Sequence, residues 1–423
     1  MNRRDSLFRL SALAGSCFSI GASGWATRAL ASEPATSART PRLVVVFLRG
    51  AVDGLSVVVP YGDPGYYQAR STIALQPPGQ EGGVLDLDGH FGLHPALDPL
   101  QGLWQRKQLA FVHASGSPDL TRSHFDAQDY MESATPGRKS TADGWMNRSL
   151  AHVPGPRSAT RALSLGPVMP RIFAGAQSVA NVPLGSQAGK PTAIDKPAVA
   201  KGFEALYGGD DKMARAFQES QMARKDIRDR LSDEGQSREM LAASNGAPLP
   251  TGFPEDAARL AQLMRTQDAP VQMAFLALGG WDTHANQGAA TGQLAGRLKP
   301  LGQGLAVLAE RLGPVWDDTV VMVMSEFGRT VRQNGNGGTD HGHGNVMWLM
   351  GGAVQGGRVC GRWPGLSASA LHEGRDLAVT TDFRQVVAEV LSGHLRLPAE
   401  RLPEVLPGWQ GVAPQQALGL FKA

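Results

Sequence analysis

The stretch "RLVVVFLRG", residues 42–50, decides the fold class. An unbroken apolar run rich in valine, with no polar residue alternating through it, is how a strand buried on both faces of a parallel sheet reads. It gives way to Arg49-Gly50-Ala51-Val52-Asp53-Gly54, so polar groups follow the run at once. Comparable runs are "LSVVVP" (55–60), "LAFVHAS" (109–115), "VQMAFLALGG" (271–280), "TVVMVMSEFG" (319–328) and "NVMWLMGG" (345–352). Between them, helical spacing appears in "HFDAQDYMES" (124–133), "PEDAARLAQLMRTQ" (254–267), "GQLAGRLKPLGQGLAVLAERLG" (292–313) and "TDFRQVVAEVLSGHL" (381–395). Strands alternating with helices predict one α/β domain over residues 42–423 with a largely parallel sheet. A charged, helical stretch at about 203–245 reads as an excursion or small cap on that domain.

The first 31 residues have a basic start, an apolar run from about Leu10 to Ile20 too short to span a bilayer, and an Ala-Leu-Ala ending at Ala31. This predicts an export signal; Arg3-Arg4 ahead of Leu7-Phe8-Arg9 resembles the twin-arginine type, against the plainer readings of an ordinary secretory signal or a retained anchor, and implies a periplasmic or secreted protein. Residues 32–41, "SEPATSARTP", read as a polar linker. The formal charge of +3 belongs to the signal: taking its four arginines and one aspartate from 41 basic and 38 acidic residues leaves 37 of each. A neutral mature chain gives no sign of a nucleic-acid partner, and no later run predicts a transmembrane segment. Cys17 leaves with the signal, so the remaining Cys360 has no internal disulfide partner and stability rests on the core or on bound ions.

In an open α/β sheet ligands sit at the carboxyl ends of strands, so polar residues just after the apolar runs are candidates. Asp53 follows the first strand, Asp282 and His284 follow the 271 run, Glu326 and Arg329 follow the 319 run, and Asp340, His341 and His343 precede the 345 run. His341 and His343, like Asp282 and His284, are spaced i, i+2, which in extended backbone directs both side chains to one side. Imidazoles with carboxylates suit Zn²⁺, Mn²⁺ or Fe better than Ca²⁺ or Mg²⁺. Each residue has a plainer reading. Asp53 sits in a good turn, Glu326 can pair with Arg329, and a histidine in a glycine-rich loop is often only solvated. Ser123 with Asp126 matches a capping box, while the same hydroxyl at a helix start can face an anion or metal as a nucleophile. His124 is a ligand or acid/base candidate.

The set "RGAVDGL", "TRSHFDAQDYME", "GGWDTHANQ", "SEFGRT", "TDHGHGNVMWLMGGAVQGG" and "TTDFRQVVAEVL" resembles the exported bacterial family called domain of unknown function 1501, over about residues 42–395. That resemblance implies membership of the alkaline phosphatase and sulfatase superfamily, a three-layer α/β/α sandwich, and hydrolysis of phosphate or sulfate esters at one or two divalent ions, Zn or Mn foremost. Carried over by motif, Asp53 matches a metal-binding aspartate and Ser123 the nucleophile position. Asp282 and His284 match the ligand pair of one metal, Glu326 stands where the other metal's Asp-His pair normally lies, and His341 or His343 is the last ligand. Arg122 or Arg329 would offset charge on the anionic ester. Phe327 departs from the pattern, because it cannot bind metal. The resemblance therefore also implies an alternative, a catalytically degenerate member that binds or assembles another exported protein.

Overall fold

The computed structural model describes residues 40–139, 141–155, 158, 160–184, 241–266 and 271–422. The predicted export signal, all but the end of the linker, and residues 203–240 of the predicted excursion lie outside the described residues. Twelve strands are described: β1 (Arg42–Leu48), β2 (Val58–Val59), β3 (Leu85–Asp86), β4 (Gly92–Leu93), β5 (Leu109–Gly116), β6 (Ala162–Leu165), β7 (Ala180–Val182), β8 (Met273–Leu278), β9 (Thr319–Ser325), β10 (Asn345–Gly351), β11 (Arg358–Cys360) and β12 (Thr381–Asp382). Nine form one sheet in the order β11-β5-β10-β9-β1-β8-β6-β7, with β12 beside β5; β2, β4 and β3 make a small separate sheet.

Strand β1 lies at the middle, parallel to β8 on one side and β9 on the other. Its alternate residues explain the unbroken apolar run. Val44, Val46 and Leu48 enter a core shared with Phe253, Leu260, Leu298, Leu301 and Leu305. Leu43, Val45 and Phe47 enter another shared with Met131, Trp145, Phe383, Val386 and Val387. Both faces of the sheet are therefore covered by helices, which makes the molecule an α/β/α sandwich. Four helices matter here: α1 (His124–Ser133), α2 (Phe253–Arg265), α3 (Gln293–Leu312) and α4 (Phe383–Glu389). The predicted 254, 292 and 381 helices are α2, α3 and α4, with α4 running on as a π turn over Val390–His394.

Two expectations are corrected. The 55–60 run is not one strand: Gly54–Val57 is a helical turn, and only Val58–Val59 pairs. Ser56 and Val57 donate their N–H groups to the Asp53 carbonyl, an alternative that an apolar run alone cannot distinguish from a strand. Second, β10 runs antiparallel to both β9 and β5, against the direction of the rest of the sheet. Its start therefore lies at the edge where the parallel strands end. The segment before β10 meets the segments after β1, β8 and β9 for that reason.

Candidate metal centre

Three segments deliver four donors to one point on this edge. His124 opens α1, Asp282 and His284 follow β8, and His341 precedes β10. One ligand atom each from His124, Asp282 and His341 lies within 4.8 Å of the other two. His341 Nε2 is 3.0 Å from His124 Nε2 and 3.0 Å from His284 Nε2. Asp282 Oδ1 lies 3.5 Å from His124 Nε2, 3.4 Å from His341 Nε2 and 3.0 Å from His284 Nε2. Zinc bonds of roughly 2.0–2.1 Å in a tetrahedron put ligand atoms about 3.3–3.4 Å apart, so this spacing suits a metal's first shell.

The tautomers point the same way. His341 Nδ1 is 2.8 Å from the Arg122 carbonyl, which can only accept, so Nδ1 carries the proton and Nε2 the lone pair. His124 Nδ1 donates to Glu326 Oε1 at 2.8 Å, and His284 Nδ1 donates to Asp340 Oδ1 at 3.1 Å. Three lone pairs thus converge with a carboxylate oxygen, an arrangement that repels itself unless a cation or a proton sits among them. Acceptors behind the histidines also fix the rings, as in metal sites generally.

Burial disfavours the charged form of His124, yet the bonds from Asp282 and Glu326 outweigh it and push this imidazole up to about 9. A proton and a divalent cation therefore compete for its Nε2. Asp282 is held far below the usual carboxylate range: burial opposes this, while His124, His341 and Arg329 outweigh it. Glu326 is fully buried, and it too stays below its ordinary value because His124 and Gln128 bond to it. Gln128 Nε2 donates at 3.0 Å and the Gly50 N–H at 2.8 Å, both to Glu326 Oε1.

Glycine makes the close packing possible at two positions. At Gly50, with φ +113°, a Cβ would stand 2.8 Å from the Asp282 nitrogen. At Gly342 it would stand 2.4 Å from the Arg329 backbone, which the neighbouring His341 pairs through an isolated bridge.

The remaining sequence candidates lie elsewhere. Asp53 is fully buried against Arg70, with contacts of 2.5 and 2.9 Å to its two oxygens, and also accepts from Ser56 and Gln287. Its charge is met by a guanidinium, so it is not among the converging donors. Glu326 and Asp340 stand behind His124 and His284 instead of beside an ion. His343 is not with His341: residue 343 lies in a bend, where alternation fails, and its ring faces His372 at 4.9 Å. Arg329 is 1% exposed and donates to the carbonyls of Gly50, Ala51, Trp281 and Thr339 and to Asp282, so it braces the loops and has little left for a substrate. Arg122 pairs with Glu373 and Asp376 at 2.9 Å each, and contributes its carbonyl to the centre. Ser123 is the exposed N-cap of α1, accepting from the Asp126 N–H at 3.4 Å. Phe327 is buried, its ring 5.0 Å from that of His124 and 5.2 Å from that of His341, a wall for the centre. Gln128 and the Arg122 carbonyl carried no sequence signal. The 124–133 helical spacing could have placed Gln128 one turn from His124, but nothing gave it a partner.

The family described as "Protein of unknown function (DUF1501)" matches residues 89–406, three quarters of the chain. The chain belongs to that family. No curated protein matches it by sequence. Among solved structures, a 2-O GAG sulfatase aligns at 11% identity over 90% of this chain and 74% of that one, with a TM-score of 0.37. A protein in the alkaline phosphatase superfamily from Vibrio parahaemolyticus aligns at 9% identity over 74% and 60%, TM-score 0.33. Murine ectonucleotide pyrophosphatase/phosphodiesterase 5, an inactive variant in complex with AMP, aligns at 9% identity over 90% and 100%, TM-score 0.39. At such scores the DUF1501 centre has to be read from this chain's own atoms. Among the described residues no helix is long and apolar enough to cross a membrane.

Proposed function

We propose that this DUF1501 chain is an exported, metal-dependent hydrolase acting on phosphate or sulfate esters in the periplasm or outside the cell. The observation that carries the reading is the convergence of three imidazole lone pairs and one carboxylate oxygen, each imidazole held by an acceptor on its other nitrogen. His124, Asp282 and His341 would hold the ion, with His284 as a fourth, more exposed donor. A nitrogen-rich set of this kind favours Zn²⁺, with Mn²⁺ next. When bound, the ion supplies Lewis acidity toward the ester oxygen and offsets its charge. The protein's own part is to hold the donors: Glu326 and Asp340 orient imidazoles, Arg329 fixes Asp282, and Phe327 keeps one side dry. Water then replaces the alcohol on phosphorus or sulfur, and the alcohol leaves with a proton. His284, the most exposed of the four donors, is the candidate general acid that would supply that proton. The twin-arginine reading of the signal fits a chain that folds before export.

Elemental analysis of the purified chain should find about one equivalent of transition metal, lost in His341→Ala and Asp282→Ala, because all the converging donors share one centre. A panel of phosphate and sulfate monoesters should then show turnover that the same variants abolish. A folded chain that neither carries nor takes up Zn²⁺ or Mn²⁺ sinks the reading.

One observation favours a second reading. Four donors at tetrahedral spacing can close the coordination sphere, and both candidate arginines are committed to other partners, which suits a structural ion in a binding or assembly factor for another exported protein. Retained metal with no turnover of any ester would select it.

A further inference from the structure

The segments that bring donors to the centre are not equally held. His124 belongs to helix α1, and Asp282 is gripped by the buried Arg329. His341 lies in a loop between Gly338 and Gly342, joined to Arg329 by an isolated backbone bridge. Glycine-rich backbone loses more freedom on ordering than any other, so a ligand carried there needs support from outside the loop.

Two arginines supply that support, one at each end of the residue. The Arg122 carbonyl takes the His341 Nδ1 proton at 2.8 Å, and the Arg375 guanidinium donates to the His341 carbonyl. Both guanidiniums converge on one carboxylate. Asp376 Oδ2 is 2.9 Å from Arg122 Nη2, and Asp376 Oδ1 is 2.9 Å from Arg375 Nε. The Asp376 side chain is 0% exposed, whereas those of Arg122 and Arg375 are 38% and 41% exposed. A buried carboxylate needs such partners, and with one arginine on each oxygen it restrains two side chains that solvent would otherwise leave free. Its backbone reaches the same loop by another route: Asp376 bridges Thr330, which donates to the Asp340 carbonyl at 2.9 Å and accepts from the Asp340 N–H at 3.1 Å. Glu373, the other partner of Arg122, is 56% exposed, where an ion pair holds little.

We propose that Asp376 is a positioning residue of the centre: through Arg122 and Arg375 it holds His341 at its ring and at its carbonyl, and so sets the affinity for the ion. The link to affinity rests on the metal-centre reading above, but the hold on the ring can be read with no ion present.

The test uses the full chain and two readouts. In the metal-free chain with isotope-labelled histidine, the His341 Nδ1 proton should give a slowly exchanging NMR signal, assigned by its absence from His341→Gln. His94 is the internal reference, being 0% exposed, accepting from the Ala96 N–H at Nδ1 and donating from Nε2 to the Ala289 carbonyl. Asp376→Asn keeps the shape of the side chain and removes its charge. It should lose the His341 signal and keep that of His94, and Zn²⁺ affinity, measured against a competing chelator, should fall roughly tenfold. Glu373→Gln should change neither readout. Should Asp376→Asn fail to fold, seen as loss of the His94 signal, Arg122→Met carries the test. It keeps the main-chain carbonyl, removes the tie to Asp376, and should weaken Zn²⁺ about threefold.

A His341 signal missing from the wild-type chain, or kept in a folded Asp376→Asn, overturns the hold on the ring. An equal loss in Glu373→Gln overturns the assignment to Asp376, and a lost signal with unchanged Zn²⁺ affinity overturns the link to the ion; in both cases a chain that binds Zn²⁺ leaves the metal-centre reading standing. A signal lost in Asp376→Asn from a chain that takes up no Zn²⁺ supports the hold on His341 and removes the metal-centre reading instead.

Discussion

Asp53 and Asp282 stand a few residues beyond the ends of neighbouring parallel strands, β1 and β8, and their fates differ. Asp53 turns inward to a guanidinium supplied by the chain itself, fully buried on both sides. Asp282 turns to three imidazoles and to the paired Arg329, and the charge beside it on His124 is a proton that a cation can replace. The first carboxylate is compensated by a charge the chain cannot exchange; the second faces a proton that an ion from outside can displace. Position at a strand end marks a carboxylate as worth inspecting, and the partner decides what it is for.

The contrast can be broken most forcefully at Arg70. Arg70→Met leaves the Asp53 carboxylate buried and unpaired, and should cost about 3–5 kcal/mol in a urea melt while metal content stays the same. Metal lost in step with stability would mean that the two corners are one site. Next, Glu326→Gln should weaken metal affinity roughly 10–100-fold by loosening His124, with little change in the melt. Unchanged affinity would show that the ring is held without the charge. Third, an ion must displace the proton that His124 keeps up to about 9. Apparent Zn²⁺ affinity should therefore rise about tenfold per pH unit from 7 toward 9 and then level. Without an ion the sign for folding is opposite: a raised histidine pKa stabilises the fold fully below its unfolded value and is lost as pH rises through about 9. Smallest, Ser123→Ala should cost about 1 kcal/mol as a lost helix cap and leave metal content alone. A large fall in ester turnover from that change would instead move Ser123 into the chemistry.

Much of the fold was legible because β1, β5, β8 and β9 are buried on both faces and their apolar runs say so without ambiguity. The direction of β10 was not, since strand orientation depends on partners far along the chain. At the centre, Asp282 and His284 were readable from their spacing, and their side chains meet at 3.0 Å. Applied to His341 and His343 the same rule failed, because it assumes extended backbone and the glycines around His343 bend it. Asp53 looked like a ligand because nothing in the sequence ties it to Arg70, seventeen residues on. The Arg122 carbonyl was invisible for another reason: main-chain acceptors leave no trace in residue identity.

His124 and His341 meet across 217 residues of chain, and His284 and His341 across 57. No unfolded chain holds such groups together, so any ion belongs to the native state alone. Its free concentration then adds to stability as the logarithm of one plus the ratio of free ion to Kd, and a chelator lowers the melting temperature. The selection of metal is for the same reason an event in the history of folding. Whichever compartment the chain folds in sets which ions it can choose among.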